Sequence, residues 1–566
     1  MKRSLLRRIE PALRALGGRA EGVELREPPP GIAAHVSSNI PLFFAKSLRR
    51  SPRDVATAFF AEGARTGAVA EIPAGETAVA PRSDAPVGGF FTAPGFINFT
   101  LPAGFFAAEL HRILAEGEAY PRAEPDPSRK PVLFEFVSSN PTGPLHIGHG
   151  RCAAIGDVLA RIWERLGYPV TREYYINDRG RQVNIITASV LDAAARRAPE
   201  RVAPDLAGWV AGIVATDRYK GGYVADVAGQ LLERRSGVYS LQMLDTVRAD
   251  VVGLMMENMR GTLDRFNVRF DVFFPETRLY AEGKVDRAIA LLRERGLLER
   301  SADGAEWFKA AGLGDDKDRV VVRASGEPTY FLSDIAYHLD KLDRGFVRLI
   351  NVWGTDHHGY VARLTAALAA TAGRPYELQV ILYQLVNLIR GGARVAMSTR
   401  EGTFVTLDEV IAEVGSDVAR FFLLQKSPDT HVDFDFDLAK ERSLKNPVYY
   451  IQYAHTRCCG IIREAQAAGV REGDGTGTWT PHERELLLKL CWYEDVLEVC
   501  AARSAPNHLC TYLLDLARLF HKFYENCRIV GEDTAVAGFR LRLVRATRTV
   551  LASGCGLIGV NAPERM

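Results

Sequence analysis

Residues 131–182 read PVLFEFVSSNPTGPLHIGHGRCAAIGDVLARIWERLGYPVTREYYINDRGRQ. The opening PVLFEFVSS is an apolar, β-rich run of strand type, and NPTGPLHIGHG is a Gly/Pro-rich turn. Ala153, Ile155, Val158, Leu159 and Ile162 then recur at helical spacing until Gly167, after which VTREYYIN supplies a second strand. Strand, turn, helix, strand is a βαβ unit, which predicts a parallel sheet of Rossmann type. His146 and His149 fall where the turn becomes the helix. A helix N-terminus offers unpaired N–H groups and partial positive charge to a polyphosphate, and histidines there donate to phosphate oxygens. Gly148, lacking a Cβ, lets a flat adenine approach the backbone. Together these describe an ATP site; a turn whose two histidines merely cap a helix is the plainer alternative for the same four residues.

Working outward, YPRAEPDPSRK (120–130) has three prolines and no apolar period, the mark of a linker. Before it, residues 1–118 read as a small α+β domain: an amphipathic helix, a second helical stretch around Pro41 to Phe60, and a strand in PGFINFTL. After it, 119–390 form the sheet-bearing domain, with a mainly helical insertion at about 191–300 between the halves of the sheet. Strand candidates return at Arg319 to Val322, Phe346 to Val352 and Leu378 to Ile381. Residues 391–442 form a connecting region, and from 443 to 566 strand patterns give way to an all-α bundle. The fold class is therefore multidomain α/β.

At 566 residues the chain exceeds one core, and three or four domains of about 100 to 200 residues are expected. With 47% hydrophobic and 25% charged residues the composition is globular, so long disorder is not expected. A net charge of +2 neither announces nor excludes RNA, because phosphate is met by a local basic face. The eight cysteines include no C-x-x-C and no zinc spacing, which reads as reduced thiols of a cytoplasmic protein. No apolar run approaches the roughly 18 residues of a membrane span. The Arg-rich opening, with Leu5, Leu6, Ile9, Leu13 and Leu16 at helical spacing, resembles organelle transit peptides, but a first helix packing on its own domain is the preferred reading.

The run FEFVSSNPTGPLHIGHGRCAAIGD resembles the nucleotide-binding signature of class I aminoacyl-tRNA synthetases, in the extended form of the arginine enzymes. ARVAMSTREGTFVTLDEVI resembles their mobile second signature, in which a cation meets the leaving pyrophosphate. Here Ala396 and Thr399 stand where the family has lysines, which leaves Arg394 and Arg400 as the nearest cations. Thr406 and Glu409 also form a capping-box pattern that opens a helix. YYINDRGRQ and NVWGTDHHGY resemble further signatures of the same site.

The resemblance implies a fold with a Rossmann-type catalytic domain, a tRNA-contacting N-terminal domain and a helical anticodon-binding domain. It implies ATP binding by Pro144, His146, Gly148, His149, Met397 and Ser398, with His146, His149, Ser398 and Arg400 as catalytic. It implies arginine binding by Glu135, Ser139, Asn140, His146, Tyr330, Asp334 and His357. Physically, a guanidinium needs carboxylates in planar, two-pronged geometry, and Tyr330 and Asp334 share a helix face if PTYFLSDIAYHLDKL is helical. Standing alone, Asp334 would read as a helix carboxylate paired with Lys341 or His338.

HVSSNIPLFFAK places Asn39 at a tRNA-contact position of the family, though a turn asparagine explains it as well. NPVYYIQYAHTR offers Tyr449, Tyr450 and Tyr453 for stacking on unpaired bases, against the ordinary alternative of core aromatics. Arg540, Arg542, Arg545 and Arg548 form either a basic stripe for phosphate or a solvated helix face. The implied partners are ATP with Mg2+, L-arginine and tRNA(Arg), in a monomer without a membrane, an editing domain or a covalent enzyme intermediate. The resemblance also implies no structurally coordinated metal. Two readings compete: another H-x-G-H nucleotidyl transferase that adenylylates without tRNA, against which the helical C-terminal domain and the Tyr330 and Asp334 pair argue, and a relative that binds tRNA without charging it, motivated by Ala396 and Thr399.

Overall fold

In this computed structural model, which describes residues 1–17, 22–29, 32, 34–72, 87–124, 126–395, 405–474 and 479–566, a parallel sheet lies at the centre. Its strands are β1 (Val132–Glu135), β2 (Val170–Ile176), β3 (Val272–Pro275), β4 (Arg348–Gly354) and β5 (Glu377–Tyr383). They lie in the order β3-β2-β1-β4-β5, and each neighbouring pair is parallel. All four residues of β1 are buried, as expected of a strand covered by helices on both faces. The chain order reverses between β1 and β4, so the crevice at their carboxyl ends is where such sheets bind ligands. Glu135 ends β1 there, in register with Glu173 of β2 and Asn351 of β4.

Helix α1 (Ile147–Arg165) follows β1 and α2 (Arg181–Arg197) follows β2. Helix α3 (Tyr330–Asp343) precedes β4, and α4 (His358–Thr371) joins β4 to β5. Gly156 lets α1 lie against the strand exit, since a Cβ would come within 2.3 Å of the Phe136 ring.

The excursion between β2 and β3 is helical from α2 through Pro204–Val214, Gly222–Arg234 and Leu244–Arg265, around an apolar cluster of its own. The sequence reading of helix to about residue 300 hides β3, whose four residues VFFP carry too little pattern to register. Arg319–Val322 is a strand, but it joins an antiparallel sheet with Glu306–Phe308 and Leu298–Arg300, outside the central one.

The N-terminal domain has a five-stranded sheet that includes Phe96–Thr100, covered by helices; Leu5, Ile9 and Leu13 of helix Lys2–Ala15 are fully buried. That helix is thus a domain element, with its amphipathic stripe in the core. Beyond β5, Val386–Arg390, Ala393–Arg394 and Val432–Asp435 form a small sheet carrying α5 (Leu407–Val414). From Pro447 the described residues form a helical bundle ending in α6 (Thr534–Ile558). The eight cysteines are free and buried. No helix among the described residues is long and apolar enough to cross a membrane.

Two arginines lock these parts together. Arg420 is fully buried; its Nη2 meets Asp157 of α1 at 2.6 Å, and its other nitrogens donate to the carbonyls of Ile558, Phe266 and Asn267. Gly559 closes over this guanidinium with φ 72, and a Cβ there would lie 2.4 Å from Nε. Arg165, at the end of α1, donates to the carbonyls of Glu118 and Tyr120 and to Ser553 of α6. Removing the guanidinium leaves three buried carbonyls without this donor and Asp157 with Arg161 alone, at 2.9 Å, so Arg420→Leu should lower stability by about 3–5 kcal/mol. Urea unfolding measures this.

Candidate active site

Immediately after β1 the backbone is strained. Ser138 N–H donates to Phe136 O at 2.9 Å, a γ-turn that holds Val137 at φ 67, and Ser138 itself has φ 39. Positive φ at a β-branched residue is unfavourable and persists only where its surroundings fix it. Here the turn delivers Ser138 Oγ to Glu135 Oε1 at 3.0 Å, while Tyr175 N–H donates to the same hydroxyl. Tyr174 OH donates to Ser139 O at 2.8 Å, and Asn140 Nδ2 donates to Gln182 Oε1 at 2.7 Å. The YYINDRGRQ segment therefore braces the turn that leads through Pro144 to the histidines.

His146 is the N-cap of α1. Its Nδ1 accepts from Gly148 N–H at 3.1 Å and His149 N–H at 3.4 Å, and His149 Nδ1 accepts from His146 N–H at 3.2 Å. The rings stack with centroids 3.7 Å apart. This reciprocal capping box occupies first-turn N–H groups that the sequence reading leaves for phosphate. The donors are relocated to the rings. Burial lowers the pKa of both, that of His149 to about 3, so both are neutral and each carries its proton on Nε2. Gly148 is needed first by the cap itself, since a Cβ would lie 2.9 Å from the His146 ring.

Met397, Ser398 and Arg400 lie outside the described residues, as do Ala396 and Thr399. The segment's C-terminal flank is described and docks on the histidine turn: Thr406 bridges His146, and Leu407 N–H donates to Leu145 O at 2.7 Å. Thr406 and Glu409 form the expected capping box. Arg394, on the other flank, donates to Asn387 Oδ1.

Beside this turn lies a group of buried acids. Glu135 Oε2 accepts Lys341 Nζ at 2.6 Å, with both side chains buried. Asp334 points elsewhere than the sequence alternative has it: Tyr360 OH donates to its Oδ2, while His338 meets only its backbone oxygen. Tyr330 stands one turn earlier and is 51% exposed, beside Gly180. Glu276, directly after β3, is 2% exposed. Burial raises the pKa of Asp334 to about 6, against the Tyr360 hydrogen bond, with Glu135 adding to the rise. Burial also raises Glu276 to about 7, and Asp334 contributes to that shift. His357 is exposed, with Nδ1 3.1 Å from Asp356. Glu276 and Tyr360 were not singled out from sequence; recognising β3 would have flagged Glu276, because strand carboxyl ends supply site residues.

The RNA candidates are dispersed. Asn39 Oδ1 accepts Glu24 N–H at 2.9 Å, a turn-holding role. Tyr449 and Tyr453 stack with centroids 6.5 Å apart and remain half-buried, and Tyr450 lies 4.8 Å from His521. The α6 arginines do not form one continuous stripe: Arg540 is buried on Glu483 and Arg542 pairs with Asp474, whereas Arg545, paired with Glu472, and Arg548, beside Glu118, keep part of their side chains in solvent.

Comparison with known proteins agrees with this architecture. The family model "tRNA synthetases class I (R), catalytic domain" matches residues 109–435, and "DALR anticodon binding domain" matches 451–566. An arginine–tRNA ligase of Syntrophotalea carbinolica is 41% identical over 590 aligned positions, covering 100% of both chains. One from Carboxydothermus hydrogenoformans is 40% identical over 96% of this chain and 94% of its own. The solved Thermus thermophilus arginyl-tRNA synthetase, 24% identical, shares the fold over 100% of both chains with a TM-score of 0.73. With catalytic and anticodon-binding models matched in order and relatives of this identity along its whole length, the chain belongs to the arginine–tRNA ligase family of class I aminoacyl-tRNA synthetases.

Proposed function

We propose that this protein activates L-arginine with ATP and transfers it to tRNA(Arg). The observation that carries this reading is the acid pocket at the sheet's carboxyl edge. Lys341 neutralises Glu135, while Asp334 and Glu276 keep pKa values near 6 and 7 in a buried setting, with Arg179, stacked on Tyr280, only partly offsetting Glu276. A planar guanidinium completes such a set by paired hydrogen bonds, which an ammonium cannot match.

The pocket and the histidine turn are one connection, Glu135 to His149, so the amino-acid end of the substrate meets ATP beside Ser139 and Asn140. An arginine carboxylate oxygen attacks the α-phosphorus in line and pyrophosphate leaves. The 2'-hydroxyl of the terminal tRNA adenosine then attacks the carbonyl carbon, the carbonyl C–O bond to phosphate breaks, and AMP leaves with its phosphate taking up the hydroxyl proton. Neutral His146 and His149 donate from Nε2 to phosphate oxygens. With Arg394 held by Asn387, Arg400 is the cation assigned to the leaving pyrophosphate. Mg2+ would enter as the ATP complex, held by phosphate oxygens. Catalysis thus rests on positioning and charge stabilisation. Asn39, Tyr449, Tyr450 and Tyr453 are assigned to tRNA contact, and the enzyme to the cytoplasm as a monomer.

Arginine charging by the purified protein tests the whole reading: tRNA binding without charging would establish the competing one. Asp334→Asn should raise the arginine KM roughly a hundredfold, the loss expected when a charged hydrogen-bond partner is removed. Because the folded Asp334 pKa lies above its ordinary value, its carboxylate destabilises the fold at pH 7, a penalty relieved as pH falls below about 6. The same variant should therefore keep or raise the melting temperature. As pH falls from 8 to 5.5, protonation of Asp334 and Glu276 should raise the arginine KM more than the ATP KM, since His149, held at about 3 by burial, stays neutral throughout. Arg400→Ala should lower the rate of adenylate formation by about a hundredfold, the scale of a lost charge-stabilising donor. Arg394→Ala should have little effect in the same ATP–pyrophosphate exchange assay.

A further inference from the structure

The helical excursion between β2 and β3 encloses a cavity of about 480 Å³ between α2, the loop 215–221 and the start of helix Gly222–Arg234. Its wall carries Arg196, Arg197, Arg218 and Lys220 against one carboxylate, Asp192, which already accepts Arg196 Nη2 at 2.7 Å. Arg197, Arg218 and Lys220 are exposed and make no ion pair among the described residues. Other arginines of the same module do find acids: Arg234 pairs with Glu257, Arg235 with Asp250 and Arg248 with Asp245. Unpaired cations gathered around one concavity are the electrostatic footprint of a polyanion.

The cavity also touches the ATP turn. Tyr219, in its wall, donates its backbone N–H to Ser189 Oγ at 3.0 Å and carries its hydroxyl beside Thr142. Tyr223 OH donates to Thr142 O at 2.9 Å. Gly221, at φ 130, lets the loop close on Tyr223, whose ring carbons a Cβ would meet at 3.0 Å. Thr142 stands in the turn that leads to His146.

We propose that this cavity is a subsite for the phosphate backbone of tRNA, and that its occupation steadies the 140–145 turn through Tyr219 and Tyr223. The inference rests on the reading that tRNA is the second substrate. The strand bearing the reacting terminus must pass beside this turn to reach the activated arginine. The wall offers three unpaired cations against a single tyrosine, Tyr219, so charge outweighs stacking and it reads backbone rather than bases.

The test compares wild type with Arg197→Ala/Arg218→Ala/Lys220→Ala and with Tyr223→Phe, each checked for native melting. The triple variant should weaken tRNA binding at least tenfold and reduce the salt slope of log affinity by about 2 to 3, at roughly 0.9 per phosphate contact. Its KM for ATP and arginine should not change. Tyr223→Phe should lower the charging kcat several-fold with tRNA affinity intact, a split that a merely structural role would not produce. Unchanged tRNA affinity and slope in the folded triple variant overturn the proposal. So does an effect confined to inorganic pyrophosphate, titrated in parallel, which would mark a free-anion site. An unchanged kcat in Tyr223→Phe overturns the coupling. If wild type fails to charge arginine the functional reading fails instead, and the tRNA-binding arm still decides the cavity.

Discussion

The fully buried guanidinium of Arg420 is the constraint on which this architecture depends. A charge removed from water must find all its partners inside, and Arg420 finds them on segments far apart in sequence: Asp157 of α1, the end of the helical excursion at Phe266 and Asn267, and the end of α6 at Ile558. None of those partners can shift without orphaning the charge or a carbonyl. The catalytic sheet, its insertion and the anticodon bundle are therefore set relative to one another by a few directional bonds, with apolar packing filling the space around them.

The active site applies the same logic in reverse. Where Arg420 is satisfied, Asp334 and Glu276 are buried with too little positive charge nearby, and their raised pKa values record the deficit. Beneath them the polar groups are matched: Lys341 serves Glu135 and Asn351, and Asn351 reaches His338. Tyr337 and Arg344 serve Glu173. A satisfied floor under an unsatisfied rim makes the missing cation part of the design, consistent with an arginine substrate.

Much of this was legible in the sequence because it rests on local chemistry. The β1–α1–β2 unit shows as apolar runs separated by Gly and Pro, and Thr406 with Glu409 announces a capped helix. What stayed hidden rests on residues distant in sequence. β3 is four residues long, and without it Glu276 looks like any surface glutamate. The arginines of α6 look like a phosphate stripe until Glu118, Glu472, Asp474 and Glu483 arrive from other elements. The histidine cap was visible as a motif, but not that its own imidazole would consume the helix N–H groups. Met397, Ser398 and Arg400 rest on the resemblance alone.

Helix α1 has the histidines at one end and, at the other, Arg165 fastened to Tyr120 and Ser553. At 19 residues it is a stiff lever about 28 Å long. Pivoted at its far end, a tilt of roughly three degrees carries the near end through about 1.5 Å, by the rise of 1.5 Å per residue. That exceeds the misplacement of about 1 Å that costs a reaction a hundredfold. The bond from Asp157, midway along α1, through Arg420 to Ile558 of α6 therefore does more than hold two domains together: it keeps that lever from swinging, and with it the aim of the phosphate donors.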